Sequence, residues 1–159
     1  MKVLGGVYLR KTDGSPPKRL SQVAAAFALS PDGRFALATE FPPTATSLES
    51  ADLRLTLLPT GAGQPGRVDT RGVKGSLLLD PPGFFPDGRR IFFVGSEQGH
   101  RKRVWVQDLD GGKPRAVTPE EVRRPVLLGD GRFICARAAD FESLDEDPPL
   151  AGRPCAGDG

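Results

Sequence analysis

Short apolar runs alternate with turn-forming residues along the chain, and this pattern predicts strands. Residues 35–39 (FALAT), 91–94 (IFFV) and 104–106 (VWV) are such runs, with glycine, proline, aspartate or serine within about five residues on each side. Apolar runs of this length between turn signals are typical of β-strands. The alanines at 24–26 favour a helix by propensity, but their run continues directly into a turn and a second apolar run. We therefore predict an all-β chain.

One turn sequence occurs three times. Residues 30–34 (SPDGR) return as residues 85–89 (FPDGR) and, less closely, as residues 128–132 (LGDGR). Proline presets φ for the second position of a type I turn, and glycine then takes the left-handed conformation. A turn of this kind joins two antiparallel strands with a glycine bulge. We expect these segments to be hairpin turns, with Gly33 and Gly88 in the left-handed conformation.

A second repeated segment precedes the first of these hairpins and also follows the first and the second. Residues 7–21 and 104–118 share apolar residues, an Asp-Gly turn, a proline and a basic residue in the same order, and residues 53–68 are a looser copy with Gly61 in the glycine place. Successive copies are separated by about 50 residues, a period typical of four-stranded propeller blades. The sequence therefore predicts repeated four-stranded sheets.

Residues 27–39 and 84–120 resemble the blade repeat of TolB-type β-propellers. In that repeat, strand A ends at the Ser-Pro-Asp-Gly turn, strand B is apolar, strand C precedes Asp-Gly-Gly, and strand D closes the blade. The resemblance implies a partial propeller over residues 1–140, with a C–D strand pair at 4–20, a blade at 22–70, a blade at 74–119 and an A–B strand pair at 123–138. The acidic segment 141–159 is expected to be a disordered tail or linker. Phe85, Gly129 and the lengthened loop at 41–50 depart from the repeat, which puts local loop geometry in doubt.

The central strand of the second full blade is apolar on both faces. Ile91 and Phe93 would lie on one face, and Phe92 and Val94 on the other. In a sheet with one solvent-exposed face, apolar and polar residues would alternate along the strand. The pattern of this strand therefore suits a sheet packed between two neighbouring blades. The small side chains at 24–26 suit an innermost strand, where blades converge.

The strand count is about three blades, whereas a propeller ring usually has at least about four. An isolated arc would leave two blade faces and two strand edges exposed. Two alternatives follow. The sequence is a piece of a longer protein, or two copies form a homodimer that completes a six-bladed ring.

The charge pattern argues against nucleic acid as a partner. The chain has 22 basic and 20 acidic residues, and its formal charge is +2. Residues 99–103 (GHRKR) form the one dense basic cluster, and without an aromatic platform it is interpreted as a solvated hairpin loop. No segment has the apolar length of a membrane span and no signal peptide is recognisable. As written, the sequence predicts a cytoplasmic protein without membrane contact, or a periplasmic one if it belongs to a longer exported chain.

No catalytic, cofactor or metal site is predicted. Cys135, Cys155 and His100 lack the spacing of zinc ligands, and Cys135 is expected to be a small buried residue of a strand. Residues 61–66 (GAGQPG) match a dinucleotide-binding fingerprint, but no helix pattern follows them. Ser96 lies near His100 without a recognisable nucleophile elbow or orienting carboxylate. The acidic residues of the tail lack the spacing of a calcium loop.

The TolB resemblance implies a non-catalytic module for protein–protein interaction or scaffolding. An unidentified protein partner would bind at the rim loops and at the mouth of the central channel. Two alternatives remain open. The chain is the gating propeller segment of a prolyl-oligopeptidase-like serine peptidase, or a sensor domain of a signalling protein.

Overall fold

The computed structural model describes residues 6–22, 24–40, 54–75 and 80–137, and these ranges contain thirteen strands and no helix. The strands are β1 (Val7–Leu9), β2 (Lys18–Ser21), β3 (Ala24–Leu29), β4 (Phe35–Glu40), β5 (Arg54–Pro59), β6 (Gly66–Arg67), β7 (Lys74–Gly75), β8 (Gly83–Phe84), β9 (Arg90–Ser96), β10 (Arg103–Asp108), β11 (Arg115–Ala116), β12 (Val122–Leu127) and β13 (Phe133–Arg137). The prediction of an all-β chain is confirmed, and the alanine-rich run is a strand.

The strands form four successive antiparallel sheets. The first contains β1 and β2, the second β3-β4-β5-β6 in that order, the third β7 to β11, and the fourth β12 and β13. In the third sheet the inner strand is split, because β7 and β8 both pair with β9 and residues 76–82 lie between them in the sequence. The sequence did not predict this split. The predicted tail at 141–159 lies outside the described residues.

Three apolar clusters lie between successive sheets. The first consists of Val7, Ala36, Ala38 and Leu58, the second of Leu37, Leu55, Val73, Ile91, Phe93 and Trp105, and the third of Phe85, Phe92, Val94, Val104 and Val106. Along β9, Ile91 and Phe93 belong to the cluster shared with the second sheet. Phe92 belongs to the cluster on the other face. The predicted two-sided burial of this strand is therefore confirmed.

The repeated glycines adopt the predicted left-handed conformation. The φ angle is 70° at Gly33, 65° at Gly88 and 88° at Gly131, a region that side chains with a Cβ rarely enter. In the first turn the Gly33 amide donates to the Ser30 carbonyl at 2.8 Å. The Ser30 hydroxyl and then the amide of Arg34 hold the pKa of Asp32 below its usual value. These residues therefore determine the backbone path of the turn.

The third turn differs from the first in its closing hydrogen bond. The Ser30 amide donates to the carbonyl of Phe35, five residues later, whereas the Leu128 amide donates to the carbonyl of Arg132, four residues later. Gly129 occupies the position that Pro31 holds in the first turn. The departure from the repeat thus changes local geometry and leaves the hairpin intact.

The two outermost sheets expose apolar side chains on their outer faces. Val7 packs against the second sheet, so its neighbour Tyr8 points the other way and is 57% exposed. In the fourth sheet Val126 and Ile134 are paired across β12 and β13, and they are 59% and 54% exposed. We call these two surfaces the end faces.

Candidate functional site

The strand order gives the arc two loop-bearing surfaces, one at each end of the strands and both distinct from the end faces. Successive antiparallel strands place the A–B and C–D turns at one end, and the B–C loops and the D-to-A connections at the other. The hydroxyl of Thr60, in a C–D loop, donates to the carbonyl of Gly33, in an A–B turn, at 2.8 Å. The amide of Glu121, in a connection, donates to the carbonyl of Lys102, in a B–C loop, at 2.8 Å. We call these ends the turn face and the connection face.

On the connection face, the basic loop of the third sheet is paired with acidic residues. His100 Nδ1 lies 2.7 Å from Glu120 Oε1, and the Arg101 side chain pairs with Glu121. The His100 ring and then the amide of Arg101 hold the pKa of Glu120 below its usual value. This carboxylate therefore stays ionised to a lower pH than a free glutamate. The predicted hairpin loop is present, and its acidic partners come from the next connection.

The same connection is fixed by buried polar contacts. The Val104 amide donates to the hydroxyl of Thr118 at 2.9 Å, and Thr118 is 7% exposed. Asp80 is 1% exposed and accepts the Arg124 amide at 2.8 Å. The φ angles of Glu121 and Arg124 are 66° and 54°, values that persist for such residues only where surrounding contacts determine them. We call the ion pairs of His100 and Arg101 with this connection, together with the Asp80 contact, the charged junction; its backbone is held by these contacts.

A cavity of about 520 Å³ opens on the connection face, where the second sheet is joined to the third. It is lined by Arg54 of β5, Arg67 of β6, Lys74 of β7 and residues of the connection 68–73. We call it the basic pocket. Its volume lies within the range of about 300–1,000 Å³ that is usual for ligand sites.

The wall of the basic pocket is ordered by local hydrogen bonds. The Arg71 amide donates to Asp69 Oδ1 at 3.0 Å, and Arg71 Nε lies 3.1 Å from Asp69 Oδ2. The Val73 amide donates to the Thr70 carbonyl at 3.0 Å. From the third sheet, Gln107 Nε2 donates to the Asp69 carbonyl at 2.8 Å, so both sheets position this segment.

The basic pocket was not predicted from the sequence, although strand pairing explains it. In the β5–β6 hairpin, Arg67 lies opposite Thr56, and Arg54 is two residues before Thr56 on the same face. Diagonal neighbours of this kind lie about 7–8 Å apart, within reach of long side chains. The two arginines are thirteen positions apart in the sequence, so only the pairing register could have brought them together.

The C–D loop of the second sheet corrects the predicted alignment by one residue. The pairing of β5 with β6 and of β10 with β11 places Ala62, rather than Gly61, at the position of Gly111. The positive φ in this loop belongs to Gly63, at 148°. The segment 61–66 joins two antiparallel strands, as predicted, and does not open a helix.

The other residues considered for chemistry are not among the described residues that line the basic pocket, although Ser96 is the pairing partner of Lys74 at its edge. Ser96 ends β9, and His100 lies in the following loop with Glu120 as its partner. Cys135 lies in β13, where it is half-buried against the third apolar cluster, and Cys155 lies outside the described residues. Within the described part of the chain, no three His, Cys, Asp or Glu residues are grouped so that they could hold a metal ion. The same part contains no helix that could span a membrane.

Comparison with solved structures identifies the fold. A putative TolB from Agrobacterium tumefaciens matches with a TM-score of 0.64 at 19% identity, over 84% of this chain and 46% of that one. TolB from Acinetobacter baumannii matches with a TM-score of 0.61 at 17% identity, over 82% of this chain and 31% of that one. The predicted TolB-type propeller fold is therefore confirmed, and the four sheets are successive parts of its blades.

Comparison of sequences gives a shorter match. The chain is 30% identical over 81 residues to the uncharacterized peptidase YuxL from Bacillus subtilis (strain 168), and the match covers 48% of this chain and 12% of that protein. No family model matches the chain. The chain thus spans less than half of the TolB chains and a small part of the peptidase.

Proposed function

We propose that this chain, an arc of a TolB-type β-propeller, is a non-catalytic module that binds another protein through its connection face. The observation that supports the proposal best is the charged junction, where His100 and Glu120 lie 2.7 Å apart and the Asp80 contact fixes the backbone of the neighbouring strand. Fixed polar loops on a rigid sheet scaffold are the usual carriers of binding. The basic pocket adds a cavity to the same face.

Site-specific photo-crosslinking in cells of the source organism tests the proposal. A photoreactive p-benzoylphenylalanine replaces His100, whose side chain is 55% exposed on the connection face. The matched control carries the same group at Lys113, which is exposed in a C–D loop of the turn face. We expect a discrete covalent protein adduct from position 100 and none from position 113. Equal adducts at both positions, or none at either, would contradict the proposal.

A second function is favoured by the match to the Bacillus peptidase. In that alternative the chain is the propeller segment that gates a prolyl-oligopeptidase-like serine hydrolase, and the catalytic residues lie elsewhere in the polypeptide. Labelling of the product of the complete reading frame with a fluorophosphonate probe separates the two functions, because the probe modifies activated serines. A labelled serine would support the peptidase, and an unlabelled product supports the interaction module.

The end faces support completion of the ring by further blades. Val126 and Ile134 form an exposed apolar pair on one end face, and Tyr8 lies on the other. In addition, β1 and β13 belong to two-stranded sheets, so each has an unpaired edge in the described arc. Further blades of a longer chain, or a second copy that forms a six-bladed ring, would cover these surfaces.

A further inference from the structure

We propose that the basic pocket binds the side-chain carboxylates of an acidic peptide segment in the protein partner. This inference rests on the proposed function and specifies the chemistry of the partner. Arg54 and Arg67 line one cavity and lie diagonally on one face of the β5–β6 hairpin. Guanidinium groups bind carboxylates with two parallel hydrogen bonds, which makes a pair of arginines suited to this ligand.

The charges of the pocket are not all compensated within the described part of the chain. The carboxylate of Asp69 is already engaged by the side chain and amide of Arg71. Neither Arg54 nor Arg67 forms an ion pair with any described residue. The two guanidinium groups are exposed and therefore available to an anionic ligand.

The third sheet provides an internal comparison. The pairing registers place Arg103 at the position of Arg54. Arg103 is neutralised by Glu97 at 2.9 Å and stacks on Trp105 with its guanidinium carbon 4.8 Å from the ring centre. In the second sheet the position of Trp105 is taken by Thr56, and Arg67 replaces an alanine. Among the described residues, the second sheet therefore has two guanidinium groups without an ion pair, where the third has one that is paired with a carboxylate.

Two features favour a carboxylate over a phosphate. Phosphate sites commonly use converging backbone amides, but here the amides of Val68, Arg71 and Val73 donate within the protein. Asp69 also lines the pocket, and its negative charge would repel a dianion more than a monoanion. The cavity of about 520 Å³ is larger than one carboxylate needs, so it can take a side chain together with adjoining peptide.

Fluorescence anisotropy with a defined peptide tests the inference. The probe is a fluorescein-labelled ten-residue peptide of alternating glycine and glutamate with an amidated C-terminus, and glutamine replaces glutamate in the control peptide. The variant is Arg54→Gln with Arg67→Gln. The matched variant, Arg34→Gln with Arg89→Gln, removes two exposed arginines from the turn face. Measurement at about 0.1 M salt screens exposed charges beyond about 10 Å.

We expect the pocket variant to weaken binding of the glutamate peptide by about tenfold or more, because charge-assisted hydrogen bonds are lost, and the turn-face variant to change it less than about twofold. Equal weakening by both variants, or equal binding of the glutamine peptide, would overturn the inference. Displacement of the peptide by millimolar inorganic phosphate in the unmodified chain, but not in the pocket variant, would reassign the pocket to phosphate. Absence of peptide binding while position 100 still gives its crosslink would reject the acidic ligand and leave the proposed function standing.

Discussion

Phe93→Ala is expected to lower the free energy of unfolding by about 3–5 kcal/mol, the usual cost of removing a large aromatic side chain from a core. Phe93 is fully buried in the cluster that joins the second and third sheets. The space it leaves lies between two packed sheets, which cannot collapse fully around it. Urea denaturation followed by the fluorescence of Trp105, the only tryptophan and a member of the same cluster, measures the change directly.

Leu29→Ala is the matched control for this substitution. Leu29 is 54% exposed, so its truncation should change the free energy of unfolding by less than about 0.5 kcal/mol. Equal effects of the two substitutions would contradict the packing of the second sheet against the third.

Gly95→Ala is expected to lower the free energy of unfolding by about 1–3 kcal/mol, the usual range for overpacking. A Cβ at this position would lie 2.8 Å from the carbonyl oxygen of Lys74 and 2.8 Å from Val73 Cγ1. The contact involves the backbone of β7, so a side-chain rotation cannot relieve it. The Gly95 carbonyl also accepts the indole N–H of Trp105 at 2.9 Å, and thermal unfolding monitored by tryptophan emission will report both effects.

Gly61→Ala tests whether the stability loss expected for Gly95→Ala comes from the close approach of β7. A Cβ at Gly61 would have no atom within 4 Å, and its φ is not in the left-handed region. We expect a change of less than about 0.5 kcal/mol. A Gly95→Ala protein that melts at the temperature of Gly61→Ala would show that β7 does not pack against β9 as described.

The sequence predicted the turns and strands well because their causes are local. Proline and glycine at Pro31 and Gly33 restrict the backbone within a few residues, and the left-handed φ of 70° at Gly33 follows from that chemistry. The two-sided apolar pattern of β9 likewise predicted burial between two sheets, and Ile91 and Phe92 belong to different clusters. Such features can be predicted without knowing which strands pair.

The basic pocket and the charged junction were not predicted because they depend on pairing between distant segments. Arg54 and Arg67 meet only when β5 and β6 pair in one register, and a shift of one residue would place them on opposite faces. The contact between Asp80 and the amide of Arg124 joins residues 44 positions apart. It also depends on the split inner strand of the third sheet, which the repeat pattern does not contain.

The central structural claim is that the chain is an arc of a propeller whose two end faces are buried against other blades in the complete assembly. Size-exclusion chromatography with multi-angle light scattering on the 159-residue chain tests it most directly. We predict a mass of at least twice 17.0 kDa, because a second copy would cover the exposed Val126 and Ile134 pair and the strand edges that are unpaired in the described arc. A cooperatively folded monomer of 17.0 kDa would contradict the claim.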